Sequence, residues 1–384
     1  MRPTALKLTA GLLLVCGLSS TVKAQVEPIN VVTTAVPFLR ISPDARSGGM
    51  GDMGVATSPD AYSGLWNAGK VAFNQGQGGI GATYTPWLKD LVNDVYLASV
   101  AGYYKLDDEQ AFHGAVRYFS LGNITFTNIQ GNDMGNFRPR EFGIDLGYSR
   151  KLGAKSGVGV TLKYINSNLA GGYTNGSTTY KAANAVAADL AFYHDGKANG
   201  SGFAWGAVLS NLGTKVAYTD NADAKDFIPA NLGLGLNYTK KMNESNSISF
   251  GVEANKLLVP TPPGENATAQ DIADYRSKSV IGGWFSSFGD APGGFGEEMK
   301  EFQLSGGAEY WYNNQFALRA GYFWEHKTKG DRRYFTTGLG LKYNLFGFNF
   351  AYLIPAGSGV NRNPLSNTLR FSVLFDIDGA KAAK

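Results

Sequence analysis

The sequence reads Phe335-Thr-Thr-Gly-Leu-Gly-Leu-Lys-Tyr-Asn-Leu345 near its C-terminus, and this stretch decides the fold. Every odd position except 337 carries a large apolar side chain, whereas every even position carries Thr, Gly, Lys or Asn. Because successive side chains of a strand point to opposite faces, this period of two predicts a strand with one apolar face. Its other face is small and polar.

The same alternation recurs from about residue 77 to residue 376 and predicts fourteen strands. Most are about 9–13 residues long, whereas strands of soluble proteins are nearer 5–6. A tilted strand needs about 9–11 residues to cross a bilayer. The predicted strands are 77–85, 95–104, 110–121, 139–151, 156–168, 183–194, 202–212, 230–240, 246–256, 302–312, 315–326, 333–344, 346–354 and 367–376.

The connections between these strands alternate strictly between long and short. In an up-and-down barrel, all long loops then lie at one end, which is the outer-membrane pattern of long extracellular loops and short periplasmic turns. Lipid offers no hydrogen bonds, so only a closed sheet is stable there. The sequence therefore predicts an all-β fold, a fourteen-stranded antiparallel transmembrane β-barrel. The alternative is a large soluble sandwich with its apolar face inward.

The N-terminus has the pattern of an export signal. Arg2 and Lys7 precede an apolar run from Leu8 to Leu18, and small residues precede a cut after Ala24. We therefore predict a signal peptide over 1–24, and a lipoprotein cut before Cys16 is the alternative. The mature chain then has 32 basic and 31 acidic residues and no cysteine, which excludes disulfides and thiolate chemistry. This balance gives no argument for a nucleic-acid partner.

Residues 25–76 do not alternate and are rich in Gly, Pro, Asp and Ser, which predicts turns. A barrel of fourteen strands has a lumen that its own side chains do not fill, so it holds a plug or water. We predict that 25–76 is an N-terminal hatch or plug inside the barrel. The barrel itself spans 77–377, and 378–384 is predicted to be a periplasmic tail.

The hatch carries a resemblance to a known family. The stretch from Phe38 to Ala61, followed by Trp66-Asn67-Ala68, resembles the N-terminal signature of PorV, also called LptO, an outer-membrane component of the type IX secretion system. That family lies within the FadL-like superfamily of outer-membrane transporters. Asn67-Ala68-Gly69 stands where the superfamily has an Asn-Pro-Ala-like turn. The signature residues are Phe38, Arg40, Pro43, Asp44, Arg46, Gly49, Gly51, Gly54, Trp66 and Asn67.

The resemblance implies a location and a role. It implies an integral protein of the bacterial outer membrane, in contact with outer-membrane lipid and lipopolysaccharide. The role is a non-catalytic shuttle that binds the C-terminal signal domain of secreted cargo. It would deliver cargo from the type IX translocon to a sortase-like attachment complex at the cell surface. The alternative, also implied by the superfamily, is a FadL-like channel for uptake of hydrophobic small molecules.

Four basic residues alternate with apolar neighbours on the predicted strands. A charge on the lipid face of a barrel costs about 2–4 kcal/mol at the midplane, so the lumen is the expected location. They can form an ionic cage for a ligand or a cargo terminus, or they can pair with hatch acids such as Asp44, Asp52 or Asp60. We favour the pairing because a buried charge needs a fixed partner. The four are Lys163, Arg319, Lys342 and Arg370.

The longest predicted loop, 257–301, carries aromatic residues that suit a partner-binding surface, because aromatics dominate binding hot spots. They can equally cap the barrel mouth. The candidate residues are Trp284, Phe285, Phe288 and Phe295.

Two patterns favour chemistry only weakly. Gly49-Met-Gly51-Asp-Met-Gly54 matches a dinucleotide motif, but turn signals flank it where a strand and a helix are needed. The three histidines, His113, His194 and His326, lie on separate predicted elements, which disfavours a three-His metal site. His326 has no acid on its own strand face to orient it as a hydrolase base. We therefore predict no enzyme activity and no cofactor.

Overall fold

The computed structural model describes residues 29–87, 92–127, 130–220, 225–264, 266–356 and 368–377. Within these ranges, fourteen antiparallel strands close into one barrel. The predicted signal peptide 1–24, the first four residues of the predicted hatch and the predicted tail 378–384 lie outside the described residues.

The barrel strands match the predicted ones to within two residues at each end, so the predicted fold is confirmed. They are β1 Gly78–Pro86, β2 Val95–Lys105, β3 Gln110–Leu121, β4 Arg140–Lys151, β5 Ser156–Asn168, β6 Ala183–Asp195, β7 Gly202–Gly213, β8 Asn231–Lys241, β9 Asn246–Leu257, β10 Gln303–Tyr312, β11 Phe316–Trp324, β12 Arg333–Tyr343, β13 Phe346–Pro355 and β14 Leu369–Ile377.

Each strand pairs with the next, and the first strand pairs with the last. The closing ladder is antiparallel and runs from Gly78 opposite Ile377 to Tyr84 opposite Phe371. Every barrel strand therefore has a neighbour on both sides. A closed ladder satisfies the backbone hydrogen bonds that lipid cannot satisfy.

The two faces of the wall differ as the alternation predicts. On β1, Ile80 and Tyr84 are exposed on the outside, whereas Thr83 and Thr85 are buried on the inside. On β12, Phe335, Leu339 and Leu341 are exposed in the same way. An apolar surface turned outward and a polar surface buried in the lumen are what a barrel in lipid requires.

Two details differ from the sequence prediction. Strand β11 ends at Trp324, so Glu325 and His326 belong to the following loop and not to one strand. The long loops also hold secondary structure of their own. Two hairpins occur, 124–127 with 133–137 and 174–175 with 178–179, and helices span Ala269–Ser277, Val280–Ser286, Phe295–Glu298 and Met299–Glu301.

All long loops lie at one end of the barrel, here called the long-loop end, and all short turns lie at the other, here called the turn end. The hatch, defined here as residues 29–76, begins among the long loops, passes through the lumen and ends at the turn end, where β1 begins. It forms four short helices, Pro37–Arg40, Ala45–Gly48, Ser63–Trp66 and Ala68–Phe73. Among the described residues, no helix has the length and apolarity needed to cross a membrane.

Candidate functional site: the hatch interface and the long loop

A buried cluster of charges joins the second hatch helix, Ala45–Gly48, to the wall. Arg46 donates from Nε and Nη2 to the two carboxylate oxygens of Glu309 on β10, at 2.9 and 2.7 Å. Arg319 on β11 donates to the same carboxylate at 2.7 Å and to Asn349 at 2.8 Å. Arg46 also bonds Asp60 at 3.0 Å. Glu309 is therefore clamped between a hatch cation and a wall cation.

A second ion pair involves Asp52, which follows the helix Ala45–Gly48 in the hatch. Arg370 on β14 donates to Asp52 at 2.7 Å, and the Tyr334 hydroxyl donates to the same carboxylate at 2.5 Å. The backbone N–H of the adjacent Gly51 donates to Thr336 Oγ1 at 2.8 Å. The hatch is thus bonded to β12 and β14 as well as to β10.

The third contact uses backbone amides of the hatch. Glu253 on β9 accepts hydrogen bonds from the N–H groups of Gly54 and Val55, both at 2.8 Å. Asn67 donates to the carbonyls of Val55 and, on β6, Phe192, at 2.9 and 3.0 Å. The wall therefore contributes both charged and neutral partners along the whole hatch.

Lys70 is fully buried inside the hatch and is held by oxygen atoms. Its ammonium donates to the carbonyl of Gly54 at 2.5 Å and to the hydroxyl of Thr57 at 2.9 Å. Burial lowers the pKa of Lys70 to about 8, and the nearby Asp60 opposes this shift. The ammonium therefore links the helix Ala68–Phe73 to the segment around Gly54 and Thr57, and it does not face an open lumen.

The signature residues of the hatch come together as one packed unit. Asp44 caps the helix Ala45–Gly48 by accepting from the Ser47 N–H at 2.8 Å, and it accepts from the Trp66 indole at 2.7 Å. Burial raises the pKa of this carboxyl, as does the charge of Asp60. The others lie in the same interface: Phe38 beneath Arg117, Arg40 beside Glu325, Pro43 bonded through its carbonyl to Ser99, Gly49 against Gly338 and Gly54 against the Trp66 ring.

Three of the four predicted lumen cations are buried and ion-paired. Arg370 pairs with the hatch acid Asp52, as expected of a structural partner. Arg319 and Lys163 instead pair with wall acids, Glu309 and Asp189, at 2.7 Å in both cases. The predicted partner acids Asp44 and Asp60 bond inside the hatch.

Lys342 differs from the other three. It lies at the turn end of β12, its side chain is 46% exposed, and it bonds Asp376 at 2.8 Å. It therefore takes no part in the buried clusters. Lys342 has the inner-face parity of Thr336, Gly338 and Gly340, but its side chain remains partly exposed at the turn end.

Sequence reasoning missed the wall acids that receive the hatch. Glu309 and Glu253 lie on the inner face of strands that were read mainly for their apolar residues. The sequence did indicate the position of Glu309, because Ser305, Gly307 and Glu309 are alternate residues of β10 and so share one face of the strand. A rule that pairs every inward cation with an inward acid would have found Glu309, the partner of Arg319, but not Glu253, which accepts from backbone N–H groups.

A cavity of about 130 Å³ remains between the hatch and the wall. Its lining mixes charged residues, such as Arg117, Lys163 and Glu253, with apolar ones, such as Leu65 and Phe323. It is not a large apolar pocket.

The long loop, defined here as residues 258–302, folds over the long-loop end and is fixed there by buried ion pairs. Lys256 bonds Glu298 at 3.1 Å and Glu301 at 2.6 Å. Lys329, from the loop after β11, bonds Glu297 at 2.5 Å and Glu301 at 2.9 Å. These contacts anchor the C-terminal half of the long loop on the barrel.

The four predicted partner-binding aromatics all lie on this loop, but they are not equivalent. Phe285 and Phe295 are 76% and 78% exposed, and Phe288 is also exposed. Trp284 is half-buried. Phe288 lies with its ring centroid 5.9 Å from Nζ of the buried Lys256, whereas Phe285 and Phe295 are the most exposed of the four.

Comparison with known proteins places this geometry in context. The family model described as type IX secretion system protein PorV matches residues 23–264, more than half of the chain. A search of curated proteins found no match.

Solved structures with a similar fold are outer-membrane channels. The CymD monoaromatic hydrocarbon channel aligns at 12% identity and a TM-score of 0.52, over 88% of this chain and 98% of that one. The toluene transporter TodX of Pseudomonas putida aligns at 11% and 0.50, over 85% and 95%. A Pseudomonas aeruginosa FadL homologue aligns at 10% and 0.46, over 90% and 99%. At these identities the likeness concerns the fold alone.

Proposed function

The chain belongs to the PorV family of type IX secretion proteins in the outer membrane, and from this premise we propose that it is a non-catalytic cargo shuttle. It would bind the C-terminal signal domain of secreted proteins at the cell surface. It would then carry them from the translocon to the sortase-like attachment complex. A shuttle of this kind needs an exposed recognition surface and has no need of an open pore.

One observation carries this proposal beyond the family membership. The lumen is occupied by a hatch that is ion-paired to the wall, whereas the long loop exposes Phe285 and Phe295 to the outside. Exposed aromatics on a fixed support are typical of protein-binding surfaces. The support is fixed here because the buried ion pairs of Lys256 and Lys329 hold the loop.

The alternative is uptake of hydrophobic small molecules, which the names of the similar channels suggest. Such a route needs an apolar pocket behind a movable hatch. The cavity of about 130 Å³ has apolar residues in its lining, but it also holds Arg117, Lys163 and Glu253. A hydrophobic ligand there would remove these charged groups from water without giving them a polar partner, which costs free energy. We therefore favour the shuttle.

The decisive experiment replaces the exposed aromatics and follows the cargo. We expect Phe285→Ser with Phe295→Ser to reduce co-purification of cargo signal domains at least tenfold and to impair secretion. The matched control is Ile272→Ser, an exposed apolar residue of the same loop. Unchanged cargo capture in the double variant would remove this surface from the proposal. Long-chain lipid in the native protein, without cargo or secretion partners, would contradict the shuttle itself.

A further inference from the structure

The first described residues of the chain lie at the long-loop end, not at the turn end. The Asn30 N–H donates to the carbonyl of Thr328 at 3.1 Å, and the Ala35 N–H donates to that of Phe227 at 2.9 Å. Thr328 belongs to the loop after β11 and Phe227 to the loop after β7. Residues 29–36, here called the strap, therefore run between long loops before the hatch enters the lumen.

The strap also contacts the long loop directly. The Asn30 side chain donates to the Pro262 carbonyl at 3.2 Å and to Glu297 at 3.3 Å. Val32 is only 6% exposed and packs in an apolar cluster with Phe227, Leu257 and Val259. Ile29, by contrast, is 71% exposed. The strap thus contacts the N-terminal part of the long loop and, through Glu297, its C-terminal part, which Lys256 and Lys329 also hold.

The length of chain before the strap limits where the mature N-terminus can be. A cut after Ala24 leaves four residues before Ile29, and four extended residues span at most about 14 Å. The apolar band of an outer-membrane barrel is about 25 Å tall. The mature N-terminus cannot reach back through the membrane to the periplasm.

We propose that the mature N-terminus lies at the cell surface, where residues 29–36 act as a strap that holds the long loop down over the barrel mouth. The chain then enters the lumen from outside, passes through it as the hatch, and leaves at the turn end to begin β1. The strap orders the loop because it supplies backbone hydrogen bonds and one buried apolar side chain where the loop would otherwise face water.

The location is tested with an epitope tag between residues 25 and 26 in the full-length protein. We expect antibody labelling of intact cells at the level of a tag at residue 131, on an exposed long-loop hairpin. A tag at residue 153, in a short turn, should label only permeabilised cells. The mass of the purified protein checks that the signal cut is unchanged. An N-terminal tag that behaves like the tag at 153 would overturn the proposed location.

The strap function is tested by proteolysis of the long loop in intact cells. Val32→Asp removes the buried contact, and we expect trypsin to cleave after the exposed Arg276 at least fivefold faster than in the wild type. Ile29→Asp introduces the same charge at an exposed position, and we expect trypsin to cleave this variant after Arg276 at the wild-type rate. If Val32→Asp does not assemble, Val32→Ala should show a smaller increase. Equal cleavage rates in an assembled Val32 variant and the Ile29 control would refute the strap.

Discussion

At the scale of single residues, a few wall carboxylates hold the hatch in place, because each accepts hydrogen bonds from two cations or from several N–H donors. Glu309 is the clearest, because Arg46 reaches it from the hatch and Arg319 from the wall. The net gain from a buried ion pair is small, since desolvation offsets attraction. Its role is to specify one position of the hatch, because removal of one partner leaves a charge buried and unpaired.

This predicts a large effect for a small substitution. Glu309→Gln keeps the shape but leaves Arg319 without an acid, so we expect the free energy of unfolding to fall by about 3 kcal/mol. Urea unfolding in detergent, followed by tryptophan fluorescence, measures it. The matched control is Asp376→Asn, which breaks the exposed Lys342 pair and should cost less than about 1 kcal/mol. Equal effects at the two sites would contradict the clamp.

At the scale of elements, the hatch fits the wall because glycines let two backbones approach. Gly51 has a φ of +74°, and a Cβ there would lie 2.7 Å from the Tyr322 carbonyl oxygen. A Cβ on Gly307 of β10 would lie 2.6 Å from the Met50 carbonyl oxygen. The glycine excess of the composition is therefore partly an interface property: the inner face of the wall and the hatch are shaped for one another.

Two adjacent glycines on β10 test this interface. Gly307→Ala points at the hatch backbone, and we expect overpacking to cost about 2 kcal/mol and to expose the hatch to protease. Gly306→Ala points outward, where the nearest atom would be 3.9 Å away, and it should be neutral or stabilise by about 0.5 kcal/mol. Thermal unfolding of the two variants in detergent gives the comparison. If the Gly307 variant were as stable as the Gly306 variant, the hatch backbone would be able to move away from the added methyl group without a cost in stability.

At the scale of the whole molecule, the barrel is closed and an ion-paired hatch fills its lumen, so no wide passage crosses it. The hatch contributes buried residues along its length, such as Phe38, Met50, Tyr62 and Val71. The cavity described beside it has a volume of about 130 Å³. The outer face of the wall lies in lipid, so we expect a large soluble partner to bind at one of the two ends of the barrel.

The sealed architecture predicts low conductance. In planar bilayers, we expect the wild-type protein to give no steady ion current, because the hatch fills the lumen. Deletion of residues 37–73 should open a pore with steady ohmic current, since a fourteen-stranded wall alone encloses water. Deletion of the loop hairpin 124–137 is the control and should leave the barrel closed. A wild-type current as large as that of the deletion variant would show that the hatch does not seal.

The sequence by itself determined the strands, their two faces and the alternation of long and short connections. These features depend on the period of two and on turn residues, which are local properties of neighbouring positions. It also predicted a hatch over 25–76 and, through the signature around Arg46, indicated the family that the family model matches.

Only the tertiary structure decided which charges meet. Arg46 and Glu309 are 263 positions apart, and no local pattern links them. The sequence suggested the hatch acids Asp44, Asp52 and Asp60 as partners of the wall cations, and of these only Asp52 meets one, Arg370. Closure of the barrel brings the wall acids Glu309 and Asp189 to Arg319 and Lys163 instead. The course of the strap past the long loops is equally non-local. Short-range periodicity specifies each strand and its faces, but the partners of the inner face depend on barrel closure and on how the hatch lies within it.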